Sequence, residues 1–159
     1  MPAYTERMPA GIPGDVSRKS GAHLEPNIVG ATPVRYGAPV KLVSGKVVPV
    51  GAGDTATVVY GFLVRPYPTQ GDSAALGGGT APAGAQCDVL RSGYMTISMK
   101  GAGTPAKRDQ VYVRVAAGGG LVVGDIVATA DGANTVAVPD CVFMGAADAA
   151  GNTEIAFNI

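Results

Sequence analysis

No stretch of this chain sustains an apolar helical period for three turns before glycine or proline interrupts it. The sequence carries 24 glycines and 12 prolines in 159 residues, and inside a helix these cost about 1 and about 3 kcal/mol each relative to alanine. Short valine-rich runs separated by turn residues recur instead, which is the pattern of an all-β domain. The clearest is CDVLRSGYMTISMKG, Cys87 to Gly101, where Met95, Ile97 and Met99 alternate with Tyr94, Thr96, Ser98 and Lys100. That is the period of a half-buried strand. In QVYVRV, Val111, Val113 and Val115 alternate in the same way with Gln110, Tyr112 and Arg114. An antiparallel hairpin across the loop from Gly101 to Asp109 would set Met99 opposite Val111, Ile97 opposite Val113 and Met95 opposite Val115, with every apolar residue on one face.

The length fits one domain with an appended arm. Twelve basic residues balance twelve acidic ones, so there is no electrostatic footprint for nucleic acid and no basic run for an anionic membrane. Nothing reaches the roughly 18 consecutive apolar residues of a membrane span, and MPAYTERMPAG does not have the form of a signal peptide. Cys87 and Cys141 lie at no metal-binding spacing and make no disulfide framework. Each reads as a small buried hydrophobe.

Residues 1–35 contain no clean strand but five prolines and four glycines. They cannot form a core of their own, yet Tyr4, Met8, Ile12, His23, Leu24, Ile28 and Val29 are more apolar anchors than a solvating tail requires. The segment is expected to be an extended N-terminal arm over 1–35 that orders by lying on a neighbour, followed by a β domain over 36–159. In that domain APVKLVSGKVVPV reads as a hairpin around Ser44-Gly45, with Pro49 marking an edge or strand end. The apolar run from Val58 to Val64 reads as a central strand covered on both faces, and Gly61 as a bulge or close approach. A long Gly/Ala-rich loop follows, from Thr69 to Gln86. Further on, Ile126–Thr129 and Thr135–Val138 read as strands joined by a turn at Asp131-Gly132. A last strand is expected to run to the final residue, with Ile155, Phe157 and Ile159 on one face, pinning the C-terminus into the sheet.

No catalytic constellation is evident. His23 is the sole histidine and lies in the expected arm, and the aspartates fall in turns and strand ends, where they support the backbone locally. The glycine runs at Gly77–Gly79 and Gly101–Lys107 lack the Gly-Lys-Ser/Thr and the strand-loop-helix context of a phosphate cradle. No enzyme activity, cofactor or metal is expected.

The succession YGFLVRPYPT at Tyr60 to Thr69, DVLRSGYMTI at Asp88 to Ile97, QVYVRV and the terminal MGAADAAGNTEIAFNI resembles the capsid cement, or decoration, proteins of tailed bacteriophages. The resemblance implies a small β-sandwich or partly closed jelly-roll-like barrel, on the outer capsid surface of the virion. Its partners would be the major capsid protein, whose neighbouring capsomers it holds together against the pressure of packaged DNA, and itself, as a homodimer or homotrimer. Candidate contacts are Tyr4, Arg7, Met8, His23 and Leu24 in the arm. Arg65, Tyr67, Arg91 and Tyr94 join them because Arg and Tyr are favoured in interface cores. Two other classes compete. A carbohydrate-binding β-sandwich displayed on a phage or cell surface would need an aromatic platform, and the chain has no Trp, three Phe and six Tyr. A small hydrolase would need His23 or a carboxylate pair in a cleft.

Overall fold

The structure, a computed structural model, describes residues 11–66 and 79–159. Eleven strands follow one another among these: β1 (Val16–Ile28), β2 (Val34–Arg35), β3 (Pro39–Val43), β4 (Lys46–Pro49), β5 (Gly61–Leu63), β6 (Thr80–Ala81), β7 (Gln86–Ser98), β8 (Gln110–Arg114), β9 (Ile126–Val127), β10 (Thr135–Phe143) and β11 (Asn152–Phe157). The helical content among the described residues is two 3₁₀ turns, Ala56–Val58 and Gly132–Asn134. The fold is all-β, a strongly curled half-barrel sheet. Its strand order is β4-β3-β5-β7-β11-β10-β8-β9, with β1 also paired to β7 and β2-β6 forming a small second sheet. At the far end, Met99 bridges Ile126, and the Lys100 N–H donates to the Ile126 carbonyl at 2.8 Å. That bond ties the last strand back to the end of β7.

β7 is the strand on which the curl turns. It pairs with β1 over most of its length, with β5 through Val89 and Leu90, and with β11 from Gly93 to Ser98. Its side chains divide between two cores. Leu90, Met95, Ile97 and Met99 enter a large core with Phe62, Phe143, Ile155 and Phe157, whereas Val89 enters a second core with Val29, Val34, Val40, Val47 and Leu63. β5 divides likewise, with Phe62 in one core and Leu63 in the other. The uninterrupted apolar run of its sequence is the signature of that double burial. Gly61 is needed for it: a Cβ there would lie 2.4 Å from the Leu90 carbonyl oxygen and 2.6 Å from Val89. Phe62 and Phe157 meet edge to face with centroids 5.2 Å apart, closing the large core between β5 and β11.

The β3–β4 hairpin has its two-residue turn at Ser44 (φ 51°) and Gly45 (φ 73°), between the paired residues Val43 and Lys46. Two positive φ values in succession give the turn whose twist matches the flanking strands. The aspartates serve turns as expected. Asp54 accepts from the Gly51 N–H, Asp109 from Ala106, Asp125 from Val122, and Asp148 from Ala150 and Asn152.

Four expectations are corrected. β7 and β8 do not pair: β8 lies between β10 and β9. Their six alternating apolar side chains nevertheless share the large core, because alternation fixes which face is buried and a curled sheet lets two strands face each other without being neighbours. The turn at Asp131-Gly132 likewise joins strands that flank β8 rather than a hairpin. Residues 1–35 do contain a strand, the 13-residue β1, and its pairing to β7 means that this part of the expected arm belongs to the sheet. Finally, the last strand ends at Phe157. Asn158 turns away at φ 51° and Ile159 is 71% exposed.

Gly61→Ala is therefore expected to destabilise the fold by at least about 2 kcal/mol, since the clash is with backbone. At the terminus, removing Ile159 is expected to stay within about 0.5 kcal/mol of wild type while Phe157→Ala costs about 3–5 kcal/mol. Urea unfolding checks all three, and a wild-type midpoint for Gly61→Ala would contradict the double burial of β5.

Candidate interaction surface

β1 is the most exposed long strand, and little of its hold on β7 comes from burial. Val16 and Ala22 are the residues of β1 packed against the large core. Between Arg18, opposite Tyr94, and His23, opposite Ser92, the register shifts, so four residues of β1 span a single residue of β7. Gly93 fits beneath this excursion because a Cβ there would sit 3.1 Å from Ala22 Cα. Side-chain clamps fix the strand on either side of it.

At the first, the Arg18 guanidinium lies 4.0 Å from the centroid of the Tyr94 ring and forks onto Glu154, with Nη2 2.9 Å from Oε2 and Nε 3.2 Å from Oε1. Ser17 Oγ donates to the same Oε1 at 2.6 Å. At the second, Arg91 lies 3.5 Å from the Tyr60 centroid with its Nε 3.4 Å from Glu25 Oε2, and the Tyr60 hydroxyl donates to the other Glu25 oxygen. The Tyr60 hydrogen bond, with help from Asn27, Arg91 and His23 against a burial penalty, holds the Glu25 carboxyl below the usual range, and the same bond raises the Tyr60 hydroxyl. A third stack orders the lead-in to β1. Arg65 lies 4.9 Å from the Tyr36 centroid, its Nε donates to the Pro13 carbonyl at 3.0 Å, and its own N–H donates to the Gly14 carbonyl at 2.8 Å. Gly14 (φ 93°) is required, because a Cβ would come within 2.8 Å of Tyr36 Cβ. Each arginine stack contributes about 0.5–2 kcal/mol, and exposed ion pairs add less. These clamps set where β1 lies, while the two cores hold the fold together.

Of the candidate contacts, Arg65, Arg91 and Tyr94 thus serve in intramolecular stacks. His23 and Leu24 lie on β1, both exposed, opposite Ser92 and Leu90. Tyr4, Arg7, Met8 and Tyr67 fall outside the described residues, as does much of the long Gly/Ala-rich loop, of which Thr80–Ala81 forms β6. Sequence reasoning passed over Arg18, Glu25, Tyr36, Tyr60 and Glu154. Their partners lie far along the chain, 136 positions for Arg18 and Glu154, so no local spacing marks them.

The outer surface of β1 presents Leu24 and Ile28, 40% and 46% exposed, on the same side of the strand. Beside them lies a cleft of about 400 Å³ lined by Pro26, Ile28, Tyr36, Val64, Pro66 and Cys87. Leu42 and Val43 at the tip of the β3–β4 hairpin are similarly exposed. Cys141 is fully buried and Cys87 half-buried, both free, with burial pushing each thiol up. Among the described residues no three His, Cys, Asp or Glu side chains are grouped to hold a metal.

The clamp at Glu25 gives a signed pH dependence. A carboxyl lowered in the folded state contributes fully above the ordinary glutamate range and loses that contribution as pH falls through its folded value. Hydrogen-exchange protection of the β1 amides, corrected for intrinsic rates, is expected to fall over that acid range, and Glu25→Gln to lower it already at pH 7. Protection indifferent to both would show that the clamp does not hold β1.

A search of curated protein sequences finds no match. Among solved structures, a chain of the capsid of Myoviridae phage XM1 superposes with a TM-score of 0.73 at 20% sequence identity, over 98% of this chain and 95% of that one. At that identity the likeness shows the fold. The sequence model described as XM1 gp53 minor capsid protein matches residues 1–157, which bears out the resemblance to phage capsid accessory proteins. The chain therefore belongs to the XM1 gp53 minor capsid protein family, a family of structural virion proteins.

Proposed function

We propose that this protein binds the outside of the major capsid protein lattice and cements neighbouring capsomers against the pressure of packaged DNA, as a structural protein without enzymatic activity. The observation that carries the reading is the β1 surface: a strand fixed by Arg–Tyr stacks that leaves Leu24, Ile28 and His23 facing outward. Leu24 stands exposed on β1 and Ile28 borders the cleft beside it, an exposed apolar surface of the kind that meets another protein. Tyr4, Arg7 and Met8 are further candidate contacts, and a homodimer or homotrimer would present several such surfaces at once. Linking moderate contacts in this way raises avidity by about 10²–10⁴ without a tight single site.

The test is cosedimentation with capsids of the source phage that lack the protein. Wild type is expected to saturate at a fixed number of copies per capsomer. The double variant Leu24→Asp, Ile28→Asp and a chain lacking residues 1–10 should each bind at least about tenfold more weakly while remaining folded. Failure of wild type to bind would refute the cement reading, and wild-type binding by both variants would refute this choice of surface.

A further inference from the structure

A second, smaller cleft of about 190 Å³ opens at the seam between the end of the curled sheet and the small β2–β6 sheet. Arg35, Tyr36 and Gly37 line it on one side, and Ser98, Lys100 and Ile126 on the other. The main chain there is already engaged. Lys100 N–H donates to Ile126, Gly37 N–H to Leu63 and Gly124 N–H to Arg114. The side chains that line the cleft are unbalanced in charge. Arg35 gives one amino group to Asp125 Oδ1 at 2.9 Å, and its side chain, 49% exposed, keeps the rest of its five donors. Asp125 is buried, its other oxygen accepting from Val122 N–H at 2.9 Å, and its single charge is paired with Arg35. Lys100 is exposed and has no ion-pair partner among the described residues. Among the described residues, two cations and one carboxylate leave the cleft one positive charge in excess, beside the apolar walls of Tyr36 and Ile126.

We propose that this cleft receives an acidic side chain, Asp or Glu, presented by the protein lattice on which this chain docks. The proposal rests on the lattice-binding reading above and names the chemistry of one contact within it. At about 190 Å³ the space is smaller than the roughly 300–1,000 Å³ of small-molecule sites and suits one inserted side chain. A carboxylate there accepts charge-assisted hydrogen bonds from the remaining Arg35 donors and from Lys100, which are stronger than neutral ones. Partial enclosure shields the pair from salt better than an open surface would. One such contact, away from the β1 surface, would fix the register in which the protein sits on the lattice.

Cosedimentation with capsids lacking the protein tests this with Lys100→Met, which keeps the apolar stem, Lys100→Glu, Lys100→Arg, and Lys46→Met on the exposed hairpin as a charge control. Binding is expected to weaken about tenfold for Lys100→Met and about a hundredfold for Lys100→Glu, to survive in Lys100→Arg, and to be unchanged in Lys46→Met. Thermal unfolding of all four should stay close to wild type, since neither lysine has an ion-pair partner among the described residues. Wild-type affinity in both Lys100→Met and Lys100→Glu would overturn the proposal while leaving lattice binding intact. An equal loss in Lys46→Met would also overturn it, by revealing general electrostatic attraction. Failure of wild type itself to bind would remove the lattice reading and this contact together.

Discussion

Two hydrophobic cores meet on one strand, and most of the architecture follows from that. β7 pairs with β1, β5 and β11, and it sends Val89 to one core and Leu90, Met95 and Ile97 to the other. Each of these side chains is fully buried, worth about 1.5–3 kcal/mol apiece before conformational entropy is subtracted. Neither core can be loosened without disturbing the same backbone, so the two should unfold together. Close packing around this strand explains why glycine stands at Gly61 and Gly93: neighbouring main chain occupies the volume that a Cβ would take.

Features set by neighbours in sequence were legible in it. The Ser44-Gly45 turn, the double burial of β5, the buried face of β7 and the turn-supporting aspartates are each marked by a pattern a few residues long. What failed was pairing. The apolar residues of β7 and β8 announce a common core and are equally consistent with a hairpin or with two strands facing across a curl, and the curl is what forms. β1 was illegible for a related reason. Its residues are mostly exposed and carry no clean alternation, and its hold depends on Tyr94, Arg91 and Glu154, which the fold alone brings near. Choosing Arg65, Arg91 and Tyr94 because Arg and Tyr are favoured in interfaces found residues that matter, although they are turned on Tyr36, Tyr60 and Arg18 within the chain.

This arrangement suits a protein whose surface is its function. The arginine stacks contribute little to global stability beside the cores, yet they hold an exposed strand in one place, so less ordering remains to be done when a partner arrives. Among the described residues Asp54, Asp109, Asp125 and Asp148 support turns and Glu25 and Glu154 hold β1, and the one histidine lies exposed on β1. Membership of a minor capsid protein family gives that surface a setting, the phage capsid.

The most direct measurement is a comparison of cryo-electron microscopy maps of the source phage's capsids with and without this protein bound. The account predicts added density on the outer face of the shell, touching two neighbouring capsomers, with the β1 surface turned towards the lattice. Density confined to the interior, or to a single capsomer with β1 facing solvent, would contradict it.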